Sequence, residues 1–128
     1  MGWAWSVDSP GLGGLCERRI DRRVLAAAFI RAEQKPRPPE YAIALSDDGN
    51  LWWLDIRPGQ GVGGWTGRIA LSDEVVEIHR RRRRRWRLEL CNRHNGRLYQ
   101  AVVFGDGAER FALALEEFAV RQTVRTCS

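Results

Sequence analysis

The chain carries two periods of hydrophobicity, and the change from one to the other marks its elements. From about Cys16 to Gln34 the apolar residues Ile20, Val24, Ala27 and Ala28 recur at helical spacing, with Phe29 and Ala32 beside them. Arg18, Arg19, Arg22 and Arg23 fall on the opposite side, which predicts a basic amphipathic helix. Lys35-Pro36-Arg37-Pro38-Pro39 stops that helix and reads as a stiff linker, because proline removes backbone donors and fixes φ. Residues 1–14, rich in Gly and Trp, read as an arm or irregular strand.

Beyond residue 40 the period falls to two. Tyr41 to Leu45 and Leu51 to Ile56 read as strands joined by a turn at Asp47-Asp48-Gly49-Asn50. The segment from Pro58 to Gly67, with five glycines, reads as a flexible connection. Arg68 to Leu71 and Val75 to His79 follow as short strands. Trp86, Leu88 and Leu90 alternate with Arg87, Glu89 and Cys91, a further strand, and Asn95-Gly96 signals a hairpin. With those two residues as the turn, Leu90 pairs with Ala101, Leu88 with Val103 and Asn92 with Tyr99. Asp106-Gly107-Ala108-Glu109 resembles a capping box, and Phe111, Ala114, Leu115 and Phe118 form the buried stripe of a closing helix. The expected fold is therefore α+β: an antiparallel β-meander or partly open barrel of about six strands, with an N-terminal basic helix and a C-terminal amphipathic helix. Residues 1–39 hold the arm, helix and linker, and residues 40–128 hold the meander and final helix.

The stretch from about Tyr41 to Gln122 resembles a pleckstrin-homology-like domain. The likeness rests on the meander, a Pro58-Gly59 step followed by Gly67 to Leu71, the late strand Trp86-Arg87-Leu88-Glu89-Leu90, a hairpin and a closing helix. It implies an interaction module for an acidic protein or an anionic membrane surface. Phosphoinositide-binding members carry basic residues around their first strand–strand loop. The loop matched to it here, Asp47 to Asn50, is acidic, so head-group recognition is not carried over. The same strands and helix are also similar to single-strand nucleic-acid binders built of four strands and a helix.

Composition adds bounds. At 44% hydrophobic and 29% charged residues the chain is ordinary globular protein, and 128 residues suffice for one domain. No apolar run is long enough to span a bilayer. The start, Met1-Gly2-Trp3-Ala4-Trp5, lacks the regions of a signal peptide, although Met1, Gly2 and Ser6 match a short acylation pattern. Cys16, Cys91 and Cys127 are odd in number and far apart, which argues against a disulfide framework and for a cytoplasmic setting.

Charge changes the picture most. Residues 79–97 hold nine arginines and one acid, Glu89, for a net +8, while the rest of the chain sums to −3. Arg80, Arg81, Arg82, Arg83, Arg84 and Arg85 form an unbroken run between two strand signals. That many guanidinium groups cannot all find local acids, which points to a polyanion held through counterion release. The expected partner is nucleic acid, DNA or RNA, with acidic protein or anionic lipid as the alternative. A solvated hairpin tip without a partner is the plainer reading of the same run. Arg87 joins the patch, Arg93 and Arg97 are expected to extend it, and Arg18, Arg19, Arg22 and Arg23 form a second patch. Trp53, on the strand face shared with Leu51 and Asp55, either stacks on an unpaired base or anchors the cover supplied by the N-terminal helix. The cover is the better reading, since that helix must bury its apolar stripe.

Other chemistry is thin. The glycine segment has part of a phosphate-loop spacing but no following Lys-Ser or Lys-Thr and no helix. Cys91-Asn92-Arg93-His94 is half a metal motif that His79 and Cys16 would have to complete beside repelling arginines, so no metal is expected. Asp47-Asp48 belong to a turn, Glu116-Glu117 to a helix, and neither histidine neighbours a nucleophile. No enzyme activity and no cofactor are expected.

Overall fold

Val24–Ala32 forms a strand at the centre of the sheet, where the apolar spacing predicts helix. The computed structural model describes residues 11–33, 36, 39–57, 59 and 61–127, with side chains as far as residue 121. Most of the expected N-terminal arm with its acylation pattern, and Lys35, Arg37 and Pro38 of the linker, lie outside the described residues.

The first helix, α1, is only Leu12–Ile20. It stops because Asp21 turns into the left-handed region at φ 55° and donates its N–H to the Glu17 carbonyl. The Glu17 carboxylate then accepts the Val24 N–H at 2.8 Å, fixing the reversal into strand β1, Val24–Ala32. Burial in β1 follows period two, with Ala26, Ala28 and Ile30 inside. Alanine fits either period, so the spacing of Val24, Ala27 and Ala28 is compatible with a helix. The β-branched and aromatic residues Val24, Phe29 and Ile30 suit a pleated surface better, and partners on both sides decide the outcome. The boundary at residues 39 and 40 thus falls between two strands of one sheet.

The remaining strands are β2 Glu40–Ser46, β3 Asn50–Arg57, β4 Gly61–Ala70, β5 Glu74–Arg82, β6 Arg85–Asn92 and β7 Leu98–Phe104. A short 3-10 turn, Leu71–Asp73, links β4 to β5, and helix α2, Ala108–Cys127, closes the chain. All pairings are antiparallel, in the order β4-β3-β2-β1-β7-β6-β5, so β4 and β5 are the edges of a sheet not closed into a barrel.

Two segments depart from expectation. The glycine-rich connection is mostly strand: β4 runs through Gly61, Gly63 and Gly64, with register shifts against β3 that bend an edge strand. The β6–β7 hairpin slips by two residues, so that Leu88 faces Ala101 and Leu90 faces Tyr99. Asn92 causes this: its side-chain oxygen accepts the backbone N–H groups of His94 and Asn95, at 2.9 and 3.1 Å, and its own N–H donates to the Arg97 carbonyl. A slip of two keeps every side chain on its expected face.

The sheet has an apolar core on each face. Ile30, Ile43, Leu45, Leu51, Leu88, Leu90 and Val103 pack on the concave face with Phe111, Ala112 and Leu115 of α2. Cys16 and Ile20 of α1 cover Ala42, Ala44, Trp52, Leu54 and Val62 on the other. Each fully buried leucine is worth about 1.5–3 kcal/mol. Burial without any polar partner pushes the Cys16 thiol up to about 12.

Candidate polyanion-binding hairpin

The arginine run is the tip of the β5–β6 hairpin. Arg80 pairs with Trp86 and Arg82 with Arg85, Arg81 sits at a register shift, and Arg83 and Arg84 make the turn. Arg84 takes the left-handed conformation at φ 60°. All six side chains are exposed. Arg84 pairs with Asp106, which precedes α2, at 3.1 Å, so that the expected capping residue serves the turn instead. Among the described residues, no acid comes within ion-pair distance of Arg80, Arg81, Arg82, Arg83 or Arg85. Five unneutralised guanidinium groups at the end of one two-stranded ribbon are a concentrated positive field.

The other expected contact residues do not join them. Arg87 is drawn onto the sheet, with Nε 3.4 Å from Glu33 and Nη2 3.4 Å from Glu89. Its side chain is 28% exposed, so it is neutralised rather than offered. Arg93 and Arg97 flank the β6–β7 turn at the far end of β6, whose eight residues put roughly 24 Å between the two turns at about 3.4 Å per residue. They do not extend the tip. Arg18, Arg19, Arg22 and Arg23 belong to α1 and its turn, which pack on the other half of the sheet against β1, β2 and β4. Arg19 donates to the Val62 carbonyl at 2.9 Å, and Arg22 pairs with Asp48 at 3.7 Å. At Asp48 desolvation opposes the charge, but hydrogen bonds from Ser46 and Asn50 and the Arg22 guanidinium outweigh it and hold the carboxyl below its ordinary value.

Trp53 is not the anchor under α1. Trp52 holds that place, buried on the α1 face, while Trp53 lies half-buried on the concave face. Its indole donates to the Tyr99 hydroxyl at 3.2 Å, with the rings edge to face at 5.7 Å. The half metal motif is not completed: Cys16 is buried under α1, Cys91 lies near the Gly96 carbonyl, His94 meets Asp73, and His79 meets Glu77 at the tip's base. No cluster of three or more His, Cys, Asp or Glu among the described residues is set to hold a metal.

Two features are not evident from the sequence. With β1 in place, the first strand–strand connection is residues 33–39 and not Asp47 to Asn50, so the acidic turn is the second connection. The first carries Lys35 and Arg37 in sequence. The second feature is an open cleft of about 680 Å³ where the sheet fails to close, reached by Tyr41, Trp53, Glu74, Asn92 and Tyr99. Gly67, opposite Trp53, is its one trace in the sequence.

A bent antiparallel sheet with both edges open and a closing helix over one end defines a pleckstrin-homology-like fold. The chain is similar to one in the crystal structure of human RhoA in complex with the DH/PH fragment of PDZRHOGEF, at 15% identity and a TM-score of 0.56. The match covers 88% of this chain and 33% of that one, so the present chain spans about a third of its length. The likeness is one of fold. No protein-family model matches the sequence, and comparison with curated proteins returns no similar sequence. No helix among the described residues is long and apolar enough to cross a membrane.

Proposed function

We propose that the chain is a non-enzymatic, pleckstrin-homology-like interaction module that docks on an anionic membrane surface or an acidic protein through the Arg80–Arg85 hairpin. The observation that carries this reading is the set of five exposed guanidinium groups without acidic partners among the described residues. A convex tip needs no matching concavity on a flat anionic surface, and each basic residue near such a surface is worth about 1 kcal/mol. The fold likeness supports an interaction module; the matched structure is a DH/PH fragment in complex with a protein. The basic first connection, with Lys35 and Arg37, removes the objection drawn from the acidic turn.

A second reading is nucleic acid, favoured by the shape of the tip. A two-stranded ribbon fits the major groove of a duplex, where arginines reach phosphates and base edges. One experiment separates the two. The protein is titrated with anionic vesicles, an acidic polypeptide, duplex DNA and RNA across a salt series, alongside a variant with Arg81, Arg82 and Arg83 replaced by serine. Binding to vesicles or acidic polypeptide alone, weakened at least about tenfold in the variant, is the expected result. Binding to nucleic acid alone, with the salt slope falling by about 0.9 for each duplex phosphate that the variant no longer neutralises, selects the second reading. Binding to none of the four at low salt defeats both.

A further inference from the structure

We propose that the cleft between the open edges of the sheet binds a small organic cation, an alkylammonium group, with Tyr41, Trp53 and Tyr99 as aromatic walls and Glu74 as counter-charge. The cleft exists because β4 and β5 do not pair, which leaves the concave face open beside the β6–β7 turn. Gly67 contributes to the opening: it faces Trp53 across β3 and β4, where any side chain would narrow the space. A Cβ there would meet only Trp53 Cβ at 3.9 Å, so the opening is not a packing requirement at the backbone.

The lining selects a cation. Glu74 is one of two buried polar residues among the described residues, at 8% exposure. Its Oε2 accepts from Asn92 Nδ2 at 2.8 Å, while Oε1 has no hydrogen-bond or ion-pair partner among the described residues. That oxygen is not shut off from solvent, so it is open to a positive group that enters the cleft. Trp53 and Tyr99, edge to face with each other, line the same cleft as Glu74, and Tyr41 completes the aromatic lining. Aromatic faces are negative and attract ammonium groups, most strongly where water is excluded. A metal ion fits poorly, since one carboxylate and one amide supply too few oxygen ligands. Arg68 borders the cleft, but its guanidinium lies over the Trp52 ring, 5.5 Å from the centroid and on the opposite face of the sheet. Arg97 is exposed at the rim, where solvent screens it.

The test uses the full chain and two probes of one shape: choline, and the alcohol in which carbon replaces the charged nitrogen. The Trp53 indole N–H resonance, assigned with Trp53→Phe, reports occupancy. Choline is expected to shift it saturably and to bind at least about tenfold more tightly than the alcohol. Glu74→Gln, nearly isosteric and able to keep the Asn92 bond, should lose about tenfold in choline affinity. Gly67→Leu should abolish binding by filling the cleft. Equal binding of the alcohol, choline affinity unchanged in Glu74→Gln, or no response of Trp53 to millimolar choline overturns the proposal. Should Gly67→Leu fail to fold, the two probes on the native protein decide. The cleft lies at the far end of β6 from the arginine turn, so the two functional readings stand or fall separately.

Discussion

Arg87 Nε lies 3.4 Å from Glu33 Oε2, and the same guanidinium reaches Glu89 at 3.4 Å. Gln100 adds a hydrogen bond to Glu89 at 3.0 Å, so four polar side chains tie β6 and β7 to the end of β1. The Nε–Glu33 contact has ion-pair range without hydrogen-bond alignment, which limits its strength. Arg87 and Arg81, six residues apart in one basic segment, should therefore behave oppositely. Arg87→Ala is expected to lower stability by about 1–2 kcal/mol, between exposed and buried pairs, and to leave the salt dependence of polyanion binding unchanged. Arg81→Ser should flatten that dependence without moving the denaturation midpoint. Urea denaturation and a salt-dependent binding titration on both variants check the contrast.

The bond from Trp53 Nε1 to Tyr99 Oη, at 3.2 Å, makes a second prediction. Tyr99→Phe keeps the ring contact and removes the acceptor, which should cost about 0.5–1.5 kcal/mol. Burial raises the Tyr99 phenol above its ordinary 10.0, the Trp53 bond opposing the shift and Tyr41 adding to it. The folded chain thus keeps a proton that the unfolded chain releases. Stability should be level below pH 10.0 in this respect and fall as pH rises through the folded value. In Tyr99→Phe that part of the alkaline loss should vanish, as denaturation midpoints between neutral and alkaline pH would show.

Much of this fold is legible in the sequence because its strands bury one face at a time. Parity alone separates Trp52, Leu54 and Ile56 from Leu51 and Trp53, and Phe111, Leu115 and Phe118 give the closing helix. Sequence patterns fail where parity carries no information. Alanine-rich Val24–Ala32 satisfies both periods, and only its two strand neighbours choose between them. The hairpin slips because a side-chain cap by Asn92 outweighs the Asn-Gly turn signal. At the site, the run of arginines is visible, but the ends to which Arg93, Arg97 and Arg22 belong depend on strand order. The cleft depends on two edges that do not meet, which no local pattern records.

Gly107 shows how closely α2 is seated. A Cβ at this position would collide with the Ala27 carbonyl oxygen of β1, which is backbone and cannot swing aside. Gly107→Ala is expected to destabilise the fold by about 1–3 kcal/mol through overpacking. Gly64→Ala, where a Cβ meets nothing within 4 Å, is the matched control and should be nearly neutral. Thermal or urea unfolding of the pair tests the helix–strand contact directly.

The turn residue Arg84 allows shape and charge to be separated at the tip. Its φ of 60° is unfavourable for a side chain with a Cβ, and its ion pair with Asp106, at 3.1 Å, is exposed on both sides. Arg84→Gly and Arg84→Ala remove the same charge and the same pair. Only glycine adopts the left-handed turn freely, so the glycine variant should be more stable than the alanine variant by about 1 kcal/mol. If the tip acts through its field, both variants should bind the selected polyanion alike, with salt slopes matched to each other, because each removes the same ion-paired charge. Binding that instead follows stability, retained in Arg84→Gly and abolished in Arg84→Ala, would mean that the hairpin is recognised by its backbone shape. Paired denaturation and salt-series titrations on the two variants distinguish these outcomes, because the stabilities diverge while the charges stay matched.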